Sequence, residues 1–272
     1  MLGTAADAED VVQDTWLRWV RVDQSEVRDP RAYLVRIATR LALNQLRTVA
    51  RRREEYVGEW LPEPLLTSPD VADDVVLAES ISMAMLTVLE TLAPTERAVF
   101  VLREVFETPY EEIAEAIGKT PSAVRQVAHR ARQHVAARRP RIEVGQAEQH
   151  RVVERFMAAI DSGDIQGLLD VLAPEVVMVA DGGGLVPAIR LPVEGARRVA
   201  EALVGFARFV SNPRLATVSL NGGPAFLIDL DGELDTAVSL LIEDGRVTRI
   251  FAVRNPEKLG RLDGETTVQR TS

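Results

Sequence analysis

"PYEEIAEAIGKTPSAVRQVAHRARQHV" occupies residues 109–135. It predicts a helix, a tight turn and a second helix. Ile113, Ala114 and Ile117 give the first helix an apolar face. Gly118 falls just past its end, where a left-handed residue costs little. Thr120 is a side-chain N-cap. Pro121 follows at the first helical position, where its missing N–H is harmless. In the second helix Val124, Val127, Ala128, Ala131 and Val135 share one side. Ser122, Arg125, Gln126, His129, Arg130 and Gln133 share the other. Small apolar residues pack inward and long donors project outward. A helix in a DNA major groove needs this division: arginine for guanine edges and phosphates, glutamine for adenine edges. The segment before it, "LAPTERAVFVLREVF", is expected to brace the pair through Leu92, Val99, Phe100 and Val105.

Charge carries the reading outward. The 272-residue chain has a formal net charge of -9, yet its basic residues are segregated. Residues 30–53 hold Arg31, Arg36, Arg40, Arg47, Arg51, Arg52 and Arg53 with no acid; residues 118–142 hold Lys119, Arg125, Arg130, Arg132, Arg138, Arg139 and Arg141, again with no acid. Two acid-free blocks in an acidic chain are the footprint of a polyanion partner. The first block predicts a long helix from Pro30, capped by Asp29. Leu34, Ile37, Ala38, Leu41, Ala42 and Val49 form its apolar face. Arg36, Arg40, Arg47 and Arg51 line the opposite side, where phosphates spaced along a strand would meet them. Asn44 and Gln45 are candidates for base edges. Before it, "DAEDVVQDTWLRWV" predicts an amphipathic helix with Val12, Thr15, Trp16 and Trp19 on its apolar side. Asp7, Asp10 and Asp14 lie on its exposed side, suited to a basic protein partner.

The absence of cysteine excludes disulfides and thiolate metal sites, and neither metal nor cofactor is expected. No apolar run is long enough for a membrane span, and acids stand where a signal peptide needs positive charge. A cytoplasmic chain without a membrane segment is the expectation.

The segment "EWLPEPLLTSPDVADD", residues 59–74, contains three prolines and predicts a linker of limited flexibility. Trp60, Leu61, Leu65 and Leu66 are too apolar for a free linker, so they are expected to dock. From about 148 to 259 the pattern reads as helix, Gly-Asp turn, helix, strand and helix. "RLATVSLNG", "PAFLIDLDG" and "TAVSLLIEDGRVTRIFAV" follow as strand-like segments with Asp231-Gly232 and Asp244-Gly245 as hairpin turns. This predicts an α+β cone with an antiparallel meander and an apolar pocket, with room for an unknown small ligand.

The quoted segments resemble the two conserved regions of the extracytoplasmic-function sigma factors, small promoter-specificity subunits of bacterial RNA polymerase. The resemblance implies core RNA polymerase and promoter DNA as partners. It implies that Asp10, Gln13 and Asp14 dock on polymerase. Asn44, Arg47 and the Arg51–Arg53 run, which includes Arg52, would melt and hold the −10 element, with Arg36 and Arg40 of the same arginine face as further candidates, and Ser122, Arg125, Gln126, His129 and Arg130 would read the −35 element. The C-terminal part resembles the SnoaL-like branch of the NTF2-like superfamily. "WLPEPL", "DGGG" and "NPEKL" together look like the subgroup of these sigma factors with a fused SnoaL-like extension in place of an anti-sigma protein. That likeness implies regulatory roles for Trp60, Leu61, Pro62, Glu63, Pro64, Leu65, Asp181, Gly182, Gly183, Gly184, Asn255, Pro256, Lys258 and Leu259. The glycine run, which usually ends in lysine in that subgroup, ends here in Leu185.

The expected organisation is multidomain, with two all-α DNA-binding domains followed by an α+β domain. Sigma region 2 spans 1–58, the linker 59–77, region 4 with its helix-turn-helix 78–141, the SnoaL-like domain 148–259 and a flexible tail 260–272. In the family another helix precedes "MLGTAADAEDVVQD" and completes the first domain, so Val12 and Trp16 are expected to lack full cover. Catalysis is not expected, because the three histidines are His129, His134 and His150, leaving Asp181, Asp229 and Asp231 without a histidine partner. Two other readings remain open on the residues. One is a one-component regulator with a DNA-binding head and a small-molecule sensor. The other is a SnoaL-like enzyme domain fused to such a head.

Overall fold

The computed structural model describes residues 1–54, 56–68, 78, 80–138, 145–210, 213–262, 264 and 266, with the side chains of 50–54 and 146 left aside. It divides into two compact units. One holds the described residues of Met1–Glu55 and Thr87–Arg139, the other those of Tyr56–Leu86 and Pro140–Arg270.

The first unit is helical. α1 (Ala5–Val20) starts at Thr4, whose hydroxyl accepts from the Asp7 amide. α2 (Pro30–Glu54) starts at Asp29, whose carboxylate accepts from the Ala32 amide at 2.9 Å. Ile37, Ala42, Leu43, Leu46 and Val49 are buried along it, a wider apolar stripe than the one expected. On the apolar side of α1, Thr15 is buried and Trp19 packs on Tyr33 with ring centroids 5.8 Å apart, while Val12 and Trp16 are 69% and 62% exposed, in line with the incomplete cover expected of them. Asp7 is turned inward, because the Gln45 side-chain amide donates to it. Gln45, a candidate for base edges, thus has its side-chain amide engaged within the helical unit.

α3 (Met83–Glu90), α4 (Pro94–Phe100) and a π-helical turn (Val101–Val105) lead to α5 (Tyr110–Ile117) and α6 (Pro121–Ala136). Gly118 ends α5 at φ +67°, and Thr120 caps α6 by accepting from the Ala123 amide. Val99, Ile113, Ala114, Val124, Val127 and Ala128 form one core cluster. Leu92 and Phe100 are buried, but Val105 is 54% exposed, because the π turn rotates it off the face that a regular helix would present.

The second unit is α+β. α7 (Gln146–Ser162) and α8 (Ile165–Val171) are separated by Gly163, left-handed at φ +66°. Then come β1 (Leu172–Asp181), β2 (Val193–Glu194), α9 (Ala196–Phe209), β3 (Arg214–Leu220), β4 (Gly223–Leu230), β5 (Glu233–Glu243), β6 (Arg246–Val253) and a short α10 (Pro256–Leu259). The third strand-like segment is two strands, β5 and β6, joined at the hairpin turn expected at Asp244-Gly245. One feature departs from the expected meander. The sheet, ordered β2-β1-β6-β5-β4-β3, is mixed, with β1 and β6 parallel and Asp181 opposite Val253.

Both faces of this sheet are apolar. Neighbouring residues such as Leu240 and Leu241, or Ile250 and Phe251, point to opposite faces and are all buried. One face packs Met178, Phe226, Leu240 and Ile250 against Phe156 of α7, Leu168 of α8 and Val199 of α9. The other packs Ala225, Ala237, Leu241, Phe251 and Val253 against Leu61, Met83, Leu259 and Leu262. The described residues of 56–86, which include the first turn of α3, therefore belong to the C-terminal unit and complete its fold. Leu262 is 5% exposed, and the Thr266 amide donates to Leu66 O at 2.7 Å, so part of the tail expected from 260 onward is packed.

The Gly118 turn gives a direct check on why the helix-turn-helix forms. A Cβ there would meet nothing within 4 Å, so the constraint is backbone conformation alone. Gly118→Ala is expected to lower stability by about 1 kcal/mol in thermal unfolding, and Gly118→Asn by less. Equal losses from the two would point to crowding instead.

Candidate functional site

Three groups of residues carry the candidate chemistry. On α6 the division expected from the sequence holds along the helix. Val124, Val127, Ala128, Ala131 and Val135 are buried, while Ser122, Arg125, Gln126, His129, Arg130 and Gln133 are exposed. The outward residues form a continuous polar face anchored by a packed inner one. Asp10, Gln13 and Asp14 are exposed on α1 at spacings that place them on one side.

On α2 the expected row of donors is only partly open. Asn44 and Arg47 are exposed, 3.4 Å apart between Arg47 Nη1 and Asn44 Oδ1. Arg36 instead pairs with Glu115 of α5, and Arg40 Nε donates to Ala116 O at 3.1 Å. The side chains of Arg51 and Arg52 lie outside the described residues, as do Arg139 and Arg141.

The third group is in the C-terminal unit and centres on Asp181, which has no exposed surface. Parallel pairing of β1 and β6 brings their C-terminal ends side by side. The Asp181 carbonyl accepts from the amides of Arg254 and Asn255, at 2.7 and 2.9 Å. Its carboxylate accepts four donors: Tyr56 OH at 2.6 Å, Leu61 N at 2.8 Å, Gly183 N at 3.0 Å and Lys258 Nζ at 2.6 Å. Lys258, also buried, donates to Leu61 O at 2.6 Å and lies 4.0 Å from the Trp60 ring centroid. Asn255 caps α10 through the Glu257 amide and donates from Nδ2 to Tyr56 OH at 2.9 Å. Burial, then the bond to Asp181, pushes the Tyr56 phenol well above its ordinary range, so it stays a donor. "WLPEPL", "DGGG" and "NPEKL" thus meet at one ion pair.

The glycine run is there for space and backbone. A Cβ on Gly182 would come within 2.5 Å of Val186 O, and one on Gly183 within 2.5 Å of Asn255 Nδ2. Gly183 and Gly184 also have positive φ. Pro62, Glu63 and Pro64 are buried, Trp60 and Leu65 half-buried, and Pro256 exposed. Downstream, the Leu65 amide donates to Asn221 Oδ1 at 3.1 Å and the Thr67 amide to Ser219 O at 3.0 Å. Leu66 bridges Leu220 in antiparallel register, so the segment extends the edge of the sheet at β3. The sequence signal missed here was Asn221-Gly222, a hairpin dipeptide. Its turn, with Asn221 at φ +54°, presents the Asn221 side chain to the linker.

Asp229 and Asp231 do not join Asp181, since β6 and β5 stand between β1 and β4. An apolar cavity of about 210 Å³ lies between α7, α9 and the sheet, lined by Phe156, Met157, Ile160, Leu203, Phe206 and Phe226 among others, with Asp161 as its charged lining residue. No group of histidines and acids among the described residues is arranged to hold a metal ion. No described helix is long and apolar enough to cross a membrane.

Comparison with known proteins agrees with this layout. The family described as Sigma-70 region 2 matches residues 1–53, and Sigma-70, region 4 matches residues 82–135. The chain is 38% identical over 274 residues to the ECF RNA polymerase sigma factor SigJ of Mycobacterium tuberculosis (strain ATCC 25618 / H37Rv), covering 95% of this chain and 87% of that one. It is 36% identical over 272 residues to the probable ECF RNA polymerase sigma factor SigI of Mycobacterium tuberculosis (strain CDC 1551 / Oshkosh), covering 97% and 90%. The crystal structure of the Mycobacterium tuberculosis extracytoplasmic function sigma factor SigJ aligns with a TM-score of 0.75 at 33% identity, covering 96% of this chain and 92% of that one. With a helix-turn-helix, both sigma regions in order and a likeness running through the C-terminal unit, the chain belongs to the extracytoplasmic-function RNA polymerase sigma factors.

Proposed function

We propose that this sigma factor is controlled in cis by its C-terminal unit, which holds or releases the linker between the two promoter readers. The observation that carries the reading is Asp181, a buried carboxylate whose donors include Tyr56, just before the linker, and Leu61 within it. The twelve residues from Tyr56 to Thr67 span about 40 Å when extended. Docked on the sheet, that length cannot adjust the separation of the −10 and −35 readers. Released, it can. In this reading Ser122, Arg125, Gln126, His129 and Arg130 contact the −35 element, Arg36, Arg40, Asn44, Arg47, Arg51 and Arg52 the −10 element, and Asp10, Gln13 and Asp14 core polymerase in the cytoplasm. The cavity under α7 and α9 is the place for a small apolar effector to bias the docked state.

Magnitudes favour a switch over a fixed brace. A buried ion pair adds little net stability, because desolvation offsets the attraction. Losing one partner, however, strands the other, at about 3–5 kcal/mol. Asp181→Ala strands the Lys258 ammonium, the Tyr56 hydroxyl and the Leu61 amide together. Thermolysin cleavage within residues 56–67 is therefore expected to rise at least 100-fold in Asp181→Ala. Asp181→Asn combined with Lys258→Met should lose less than the sum of the two single changes. In vitro transcription with core polymerase should change with linker release. A variant with a cleavable linker and unaltered output would overturn control through this segment.

Promoter reading has its own test. Arg125→Ala and Gln126→Ala are each expected to cost about 1–3 kcal/mol at the cognate −35 element and to relax specificity there. Equal losses on cognate and scrambled −35 sequences would remove these residues from base reading.

A further inference from the structure

The arginines of both readers face carboxylates of the same unit. Arg36 pairs with Glu115, Arg125 with Glu111 at 3.6 Å, Arg130 with Glu96 at 3.6 Å and Arg132 with Glu104 at 3.3 Å. Arg40 adds a bond to the carbonyls at the C-terminal end of α5, where the helix dipole is negative. The four acids come from α4, the π turn and α5, all outside the two acid-free blocks. In sequence they look like an ordinary solvated acidic stretch. In space each stands beside one arginine, as a phosphate would.

Pairs this exposed are worth about 0–1 kcal/mol each, so they do not explain the fold. What they change is the charge that DNA meets. Binding to arbitrary DNA is almost wholly phosphate electrostatics. A single phosphate contact in water is no stronger than the glutamate contact it must displace. A bidentate contact to the right base is worth about 1–3 kcal/mol and does exceed it. Such pairs therefore yield at a cognate site and persist elsewhere.

We infer that Glu96, Glu104, Glu111 and Glu115 are specificity-determining residues, built-in counterions that keep the free chain off arbitrary DNA. The inference rests on the assignment of α2 and α6 as the DNA-contacting helices.

The test compares two proteins of equal net charge. One carries Glu96→Gln, Glu104→Gln, Glu111→Gln and Glu115→Gln. The control carries Glu154→Gln, Glu175→Gln, Glu194→Gln and Glu233→Gln, all exposed and in the C-terminal unit. Binding to a scrambled duplex is followed by fluorescence anisotropy from 50 to 200 mM KCl. The first variant should bind more tightly at low salt than both the wild type and the control. Its log–log salt slope should steepen by up to about 3.6, which is roughly a 100-fold greater loss of affinity over that range. Its ratio of cognate to scrambled transcription with core polymerase should fall. A slope and ratio matching the control would overturn the inference and leave only a net-charge effect. If the fourfold variant unfolds, Glu104→Gln with Glu111→Gln serves instead, against Glu154→Gln with Glu175→Gln, with about half the slope change expected. The base-reading assignment fails separately, in the comparison of Arg125→Ala on cognate and scrambled −35 sequences, because the salt slope does not depend on which bases α6 reads.

Discussion

A carboxylate with no access to water must find its donors inside the protein, and Asp181 finds three of its four from outside its own loop. One comes from Leu61 of the linker, one from Tyr56 just before it and one from Lys258 of α10. The pairing of Asp181 with Lys258 therefore ties together three pieces of chain more than a hundred residues apart at the extremes. It also explains the shape of the loop around it. The backbone after Asp181 runs so close to Asn255 and Val186 that only glycine fits at 182 and 183. α10 begins with an Asn255 cap that doubles as a donor to Tyr56.

The sheet supplies the apolar half of the same arrangement. Helices cover one face, and the second face, with Leu241, Phe251 and Val253, is covered by Leu61, Met83, Leu259 and Leu262. Burying a leucine of this kind is worth about 1.5–3 kcal/mol. A linker that undocks loses this burial and its bonds to Asp181 together, so docking is cooperative. On the proposed reading that cooperativity makes the linker a switch. On the same reading, placing Arg36 and Arg40 against α5 in the helical unit works to the same end, since it occupies donors on α2 with acceptors from α5.

Much of this was legible in the sequence, and the exceptions have definite causes. The helix-turn-helix was readable because caps, periodicity and charge agreed over residues 109–135. The linker's Leu61 announced a docking partner by being apolar among prolines. The parallel placement of β1 beside β6 was not readable, because period-2 patterns fix which face a residue takes but not which strand lies next to it. That pairing is what brings Asp181 to Asn255 and Lys258. The adjacent apolar pairs Leu240-Leu241 and Ile250-Phe251 did carry a signal that both sheet faces are buried. The Gln45 bond to Asp7 and the glutamates beside the arginines were hidden for another reason. They depend on how separate helices pack, and helical periodicity describes one helix at a time.

Hydrogen exchange at the Leu61 amide reports whether the linker is docked, because that N–H is held by the Asp181 carboxylate. Strong protection is expected in the free chain, and its loss in the open complex with core polymerase and promoter DNA. Protection that persists unchanged in a transcribing complex would rule out control by linker release.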